Sequence, residues 1–174
     1  MKTHGLRPLF DENAIRRRVD DLARQIDACY GSEPLVMICV LKGACIFFSD
    51  LVRRLACRPV LDFVALSSYG NRMCSGGVTL DKDVSVDLQD RHVLVVEDIV
   101  DTGHSMRRLF SHLRAFQPRS LRLVALIDKH ERREVPVEAD FYGFRVTDGF
   151  IVGYGLDYAE QYRELPALYT LPPT

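Results

Sequence analysis

Glu97, Asp98 and Asp101 place three carboxylates within five residues, and Thr102, Gly103 and Ser105 follow at once. Acids this close repel one another unless something cationic, or a set of hydroxyls, lies between them. Hydroxyls and free backbone N–H groups at the start of a helix can surround a phosphate. The pair of features suits a phosphorylated sugar: the cradle takes the phosphate, and the acids take ribose hydroxyls or a metal. The alternative is an ordinary acidic loop in which Asp101 caps the helix. It leaves unexplained why two further acids stand on the end of an apolar run.

These groups need a strand, a loop and a helix to hold them. Residues 93–96 are an apolar, β-branched run, and Met106, Leu109, Phe110 and Leu113 recur at helical spacing. A continuous apolar run marks a parallel strand covered on both faces, and ligands of open α/β sheets sit beyond the carboxyl ends of such strands. The same unit occurs upstream. Residues 35–41 are nearly all apolar, break at Lys42-Gly43, and lead into a stripe of Ala44, Phe47, Phe48, Leu51 and Leu55. Lys42 and Gly43 therefore fall at the same edge as the acids.

Around these units, residues 12–30 form an amphipathic packing helix with Ile15, Val19, Leu22 and Ile26 on one stripe. Residues 60–66 are a further strand. Residues 67–77 collect Gly, Ser and Asn without periodicity, as a mobile loop of the length that often serves as a lid. Residues 84–88 are expected as the returning strand, with Gln89-Asp90-Arg91 as the turn into the central unit. After Pro118, Leu121, Leu123, Ala125 and Ile127 alternate as the next strand and deliver Asp128, Lys129 and His130 to the ligand edge. Residues 134–149 suit short strands joined by turns, and the tail from Leu165 is expected to pack on the sheet. The fold class is α/β, a mainly parallel twisted sheet flanked by helices.

Composition narrows the function. The 174 residues are 47% hydrophobic and 27% charged, with a net charge of -1, which fits one globular domain. No global basic field draws nucleic acid or an acidic membrane, and no apolar run is long enough to span a bilayer. Five cysteines, an odd number, lack the paired spacing of zinc sites and suit free thiols in a reducing cytoplasm. The start has no apolar stretch of a secretory signal. Dinucleotide and Walker loops fit poorly, since neither Gly-x-Gly-x-x-Gly nor Gly-Lys-Ser/Thr occurs.

Residues 95–103, Val-Val-Glu-Asp-Ile-Val-Asp-Thr-Gly, resemble the signature with which type I phosphoribosyltransferases bind phosphoribosyl pyrophosphate, PRPP. Leu41-Lys42-Gly43 resembles the pyrophosphate loop of the 6-oxopurine branch, often a cis peptide. Ser68-Tyr69 resembles the opening of its lid, and residues 150–158, Phe-Ile-Val-Gly-Tyr-Gly-Leu-Asp-Tyr, its hypoxanthine-guanine base-binding segment. The motifs stand in the family's order over nearly the whole chain.

The resemblance implies a Mg2+-dependent purine-salvage transferase in the cytoplasm, a homo-oligomer (dimer or tetramer) that converts hypoxanthine or guanine and PRPP into IMP or GMP and pyrophosphate. It implies a single domain, residues 1–174, with a hood made from the N-terminal and C-terminal segments. Glu97 and Asp98 would bind the ribose hydroxyls, Thr102, Gly103, His104 and Ser105 the 5-phosphate, and Lys42, Gly43 and Arg163 pyrophosphate. Ser68 and Tyr69 belong to the lid. Phe150 would stack on the base, Ile151 belongs to the base-binding segment, Val152 would offer its backbone N–H and C=O to the base, and Asp157, with Glu97 and Asp98, would hold the metal. Lys129 would read the purine edge: an ammonium donates hydrogen bonds and cannot accept them, which favours oxygen over an amino group at C6. Asp101 would be the proton partner of purine N7, its carboxylate able to have a raised pKa in a closed, dry site.

His104 departs from the lysine or apolar residue of many relatives, and Asn71-Arg72-Met73-Cys74 lacks the Thr and Ser expected in the lid. One rival is a xanthine-preferring transferase, differing only around residues 152–156. Another is a regulator that keeps the fold but binds RNA, which would need a basic face. Arg16, Arg17, Arg18, Arg53, Arg54, Arg107, Arg108, Arg132 and Arg133 are the candidates, though they lie among acids.

Overall fold

The computed structural model describes residues 5–68 and 78–172. Its centre is a six-stranded sheet in the order β4-β3-β2-β5-β6-β7, built from β2 (Leu35–Leu41), β3 (Val60–Ser68), β4 (Val78–Lys82), β5 (His92–Val100), β6 (Ser120–Asp128) and β7 (Phe141–Arg145). All pairs are parallel except β3 with β4.

Alternation along the central strands explains the three layers. Met37, Cys39, Leu94, Val96, Val124 and Leu126 face α1 (Glu12–Tyr30) and α2 (Cys45–Val52). Val36, Ile38, Val93, Val95, Leu123 and Ala125 face α3 (His104–Arg114), which supplies Met106, Leu109, Phe110 and Leu113. Because both faces are covered, these strands carry no polar alternation in their interiors. Asp11 caps α1, its carboxylate accepting from the Ala14 amide at 2.7 Å.

A second, three-stranded antiparallel sheet joins β1 (Arg7–Phe10), β9 (Leu168–Leu171) and β8 (Phe150–Val152) in that order. The tail thus pairs with β1 and β8, not with the main sheet as expected.

Two further expectations fail. The strand that returns along β3 is β4, and residues 84–88 are irregular. The reason is Asp62, whose buried carboxylate accepts from the Ser85 amide at 2.6 Å and the Val86 amide at 3.1 Å. Those amides are spent on a side chain and cannot enter a ladder. Leu88 still drops into the core, which produced the strand-like alternation. Between residues 134 and 149 there is one strand, β7, and just before it the Asp140 carboxylate accepts the Leu123 amide at 2.9 Å. The lid residue Tyr69 lies outside the described residues; Ser68 ends β3, and its side chain is not described.

Candidate active site

Parallel register brings the carboxyl ends of β2, β5 and β6 to one edge: Cys39 is opposite Val96, and Val100 opposite Asp128. Lys42-Gly43, the acids and Lys129 follow from those ends. A cavity of about 890 Å³ opens there, lined by Asp98, Ile99, Asp101, Lys129, Phe150, Ile151 and Asp157 among others.

The Leu41–Lys42 peptide is cis. Gly43 is needed by contact: a Cβ there would lie 1.7 Å from Asp98 Oδ2. Gly155, at a φ of +104°, packs in turn on Gly43, where a Cβ would stand 2.1 Å from the Gly43 carbonyl oxygen. Two glycines therefore let three loops meet around the acids.

Glu97 is buried and Asp98 half-buried. Burial, and then the charge of Asp98, hold the Glu97 carboxyl well above its ordinary range. Burial also raises Asp98, opposed by its contact with Glu97, the Ile99 amide and the Arg163 guanidinium. Two crowded acids with little solvent call for hydroxyls or a cation between them.

Helix α3 is preceded by Gly103 as its N-cap, with φ +89° and no side-chain cap. Its first-turn amides are thus free of any capping side chain, and no acid stands in that turn, as a phosphate cradle requires. Asp101 does not cap the helix. Thr102 braces the loop from behind, its carbonyl accepting the Glu134 amide at 3.0 Å. Ser105 is exposed, and the exposed His104 ring reaches Glu134 at 2.8 Å across Nε2 and Oε2.

Lys129 is buried, with Nζ donating to the Gly149 carbonyl at 2.7 Å and standing 3.6 Å from Asp101 Oδ2. Arg132 Nε approaches Asp101 Oδ1 to 3.0 Å. Asp101 is therefore between two cations with 37% of its side chain exposed, a wetter setting than the closed, dry one expected.

Phe150 is 52% exposed, and Tyr158 meets it edge to face at 5.4 Å between centroids. Ile151 lines the cavity, whereas the Val152 side chain is fully buried within the β8–β9 ladder opposite Tyr169.

Arg163 pairs with Asp157 at 2.7 Å and donates to the Gly155 carbonyl at 2.8 Å; Lys42 pairs with Glu160 at 3.2 Å. Glu160, Tyr158 and Ile99 are site residues that the sequence did not single out, and Arg132 was noted only as a candidate for a basic face. Tyr158 and Ile99 stood inside the quoted motifs, but nothing in the pattern signalled Glu160. The proposed metal set is not preformed: among the described residues no three His, Cys, Asp or Glu side chains gather as a metal cluster.

The model of the phosphoribosyl transferase domain family matches residues 7–159. The chain belongs to that family. Among curated relatives of this phosphoribosyltransferase, the hypoxanthine-guanine phosphoribosyltransferase of Aquifex aeolicus is 43% identical, the match covering 94% of this chain and 93% of that protein. A hypoxanthine phosphoribosyltransferase structure from Staphylococcus aureus superposes with a TM-score of 0.93 at 37% identity, over 98% of this chain and 94% of the other. A hypoxanthine-guanine phosphoribosyltransferase structure from Bacillus anthracis, with HEPES in its active site, gives 0.90 at 40% identity, covering 95% and 98%. The type I phosphoribosyltransferase fold expected from the motifs is thus the fold of this chain.

Proposed function

We propose that this phosphoribosyltransferase transfers the phosphoribosyl group of PRPP to N9 of hypoxanthine or guanine, giving IMP or GMP and pyrophosphate in purine salvage. The observation that carries this reading is Lys129: a buried ammonium at the cavity wall, fixed by the Gly149 carbonyl, on the same cavity as the exposed Phe150 ring. A donor-only group there selects a 6-oxo edge, and an exposed aromatic offers a stacking face.

The bonds to be made and broken fit the other groups. Departure of pyrophosphate from C1 of the ribose leaves positive charge on the sugar, and N9 of the base forms the new bond at C1. Glu97 and Asp98 take the ribose hydroxyls, and the uncapped start of α3, with Thr102, Gly103, His104 and Ser105, takes the 5-phosphate. Lys42, Gly43 and Arg163 face the pyrophosphate, which must displace Glu160 and Asp157 from the two cations. Ser68 and Tyr69 would belong to a lid that keeps water out. Ile151 borders the base, and Val152 meets it through its backbone. Asp101 takes the proton released from the base.

Magnesium suits the donor set, since it binds through one or two carboxylates together with substrate oxygens and retained waters. Glu97, Asp98 and Asp157 would hold it, and when bound it neutralises charge on the departing pyrophosphate. The described cysteines are free thiols, which suits a cytoplasmic setting, and the enzyme would work there as a homo-oligomer.

The RNA-binding alternative loses several of its cations to internal partners. Arg18 donates to the Tyr142 and Gly143 carbonyls, Arg54 pairs with Asp20, and Arg133 with Asp128. The test is to offer hypoxanthine, guanine, xanthine, adenine and uracil separately with PRPP and magnesium and to follow nucleotide formation. Product is expected with hypoxanthine or guanine and none with adenine or uracil; no product with any base overturns the proposal.

A further inference from the structure

Asp101 is held in an asymmetric way. Its Oδ1 atom is buried and has no aligned hydrogen bond, yet Arg132 Nε stands 3.0 Å away. Oδ2 keeps contact with solvent and lies 3.6 Å from Lys129 Nζ. Each of these cations also reaches the turn before β8: Lys129 through the Gly149 carbonyl at 2.7 Å, Arg132 through Asp148 at 3.8 Å. Two bridges thus run in parallel from one carboxylate to one turn. Lys129 is buried and fixed, whereas Arg132 is 48% exposed on a single turn of 3-10 helix, His130–Arg132.

From this geometry we infer that Arg132 is a positioning residue for the reaction: it grips the buried oxygen of Asp101 so that the other oxygen faces the base. The inference rests on the proposed role of Asp101 as proton acceptor. A carboxylate can turn about its Cβ–Cγ bond, and a rotation would swap which oxygen meets the purine. Lys129 alone does not prevent that, because its ammonium is a point donor that can follow either oxygen. A planar guanidinium approaching the second oxygen does. The grip costs the fold little, since a half-exposed ion pair contributes little to stability.

The test uses full-length protein, with rates of a single turnover from PRPP and hypoxanthine, both KM values, and thermal melting. Arg132→Met is expected to melt near the parent temperature and to slow the single-turnover rate by about three- to tenfold, with the KM for PRPP within about twofold. Arg132→Lys, which keeps the charge but not the planar guanidinium, is expected to recover only part of the rate. In an Asp101→Asn background, Arg132→Met is expected to add no further loss, because both act through one group. An unchanged rate in Arg132→Met overturns the inference. So does a rise in the KM for PRPP that accounts for the loss, which would make Arg132 a substrate contact, or a loss that adds fully to that of Asp101→Asn. If Asp101→Asn itself turns over at the parent rate, the proton-acceptor reading falls, a result distinct from failure of Arg132 alone.

Discussion

At the scale of single residues, the site depends on which atoms can donate and which can accept. Lys129 presents only N–H groups, and its tether to Gly149 stops it from swinging clear of the cavity. Lys129→Gln supplies an amide that both donates and accepts. It is expected to admit 6-amino purines at the expense of hypoxanthine, measured as the ratio of kcat/KM for the two bases; unchanged discrimination against adenine would show that Lys129 does not read O6. Asp101→Asn retains shape and removes the acceptor for a proton. Its turnover is expected to fall by about 10²–10⁴ while PRPP binding stays near normal, read by steady-state rates beside a PRPP titration. Equal loss of both would assign Asp101 to substrate binding instead. The sequence offered Lys129 and Asp101 by their places at strand ends, but it gave no hint that they touch, nor that Arg132 and Glu160 hold their partners.

At the scale of elements, the strands are placed by burial on both faces and the loops by a few polar anchors. Asp62 shows the second kind. Burial works to raise its pKa, but the amides of Ser85, Phe63 and Val86 and the Ser85 hydroxyl outweigh it and hold the carboxyl below its ordinary 3.8. A depressed carboxyl contributes stability that is fully present above the ordinary value and is lost as pH falls through the folded one. Asp62→Asn is therefore expected to destabilise the protein by about 1.5–3 kcal/mol at pH 7, the range for hydrogen bonds to a charged group. The gap from the parent should narrow below pH 3.8, as the parent loses the same contribution. Urea unfolding at the two pH values measures it, and a gap of constant size would show that the charge is not what anchors residues 83–86.

At the scale of the whole molecule, the site is assembled from segments far apart in the chain: Lys42-Gly43 after β2, the acids at the end of β5, Lys129 after β6, and residues 150–163 around β8. A ligand that bridges them ties the small sheet to the large one. PRPP with magnesium is expected to raise the melting temperature, with a stabilisation of about 2.7 kcal/mol at a concentration 100 times Kd. PRPP without the metal is expected to give a smaller shift; identical shifts with and without magnesium would sink the metal's place in binding.

The amino-acid sequence alone determined the cores of β2, β3, β5 and β6, the three helices, the acid-and-cradle loop and its kinship, because these are local: burial on both faces leaves runs, and a phosphate loop needs its residues side by side. It misjudged residues 84–88, where apolar alternation came from one buried anchor and one core leucine, Asp62 and Leu88, that lie far apart in sequence. Only the tertiary structure decided which sheet takes the tail, how Gly155 lets its loop settle on Gly43, and which cation holds each oxygen of Asp101. Those are contacts across long stretches of chain, set by how finished elements pack, and no local spacing encodes them.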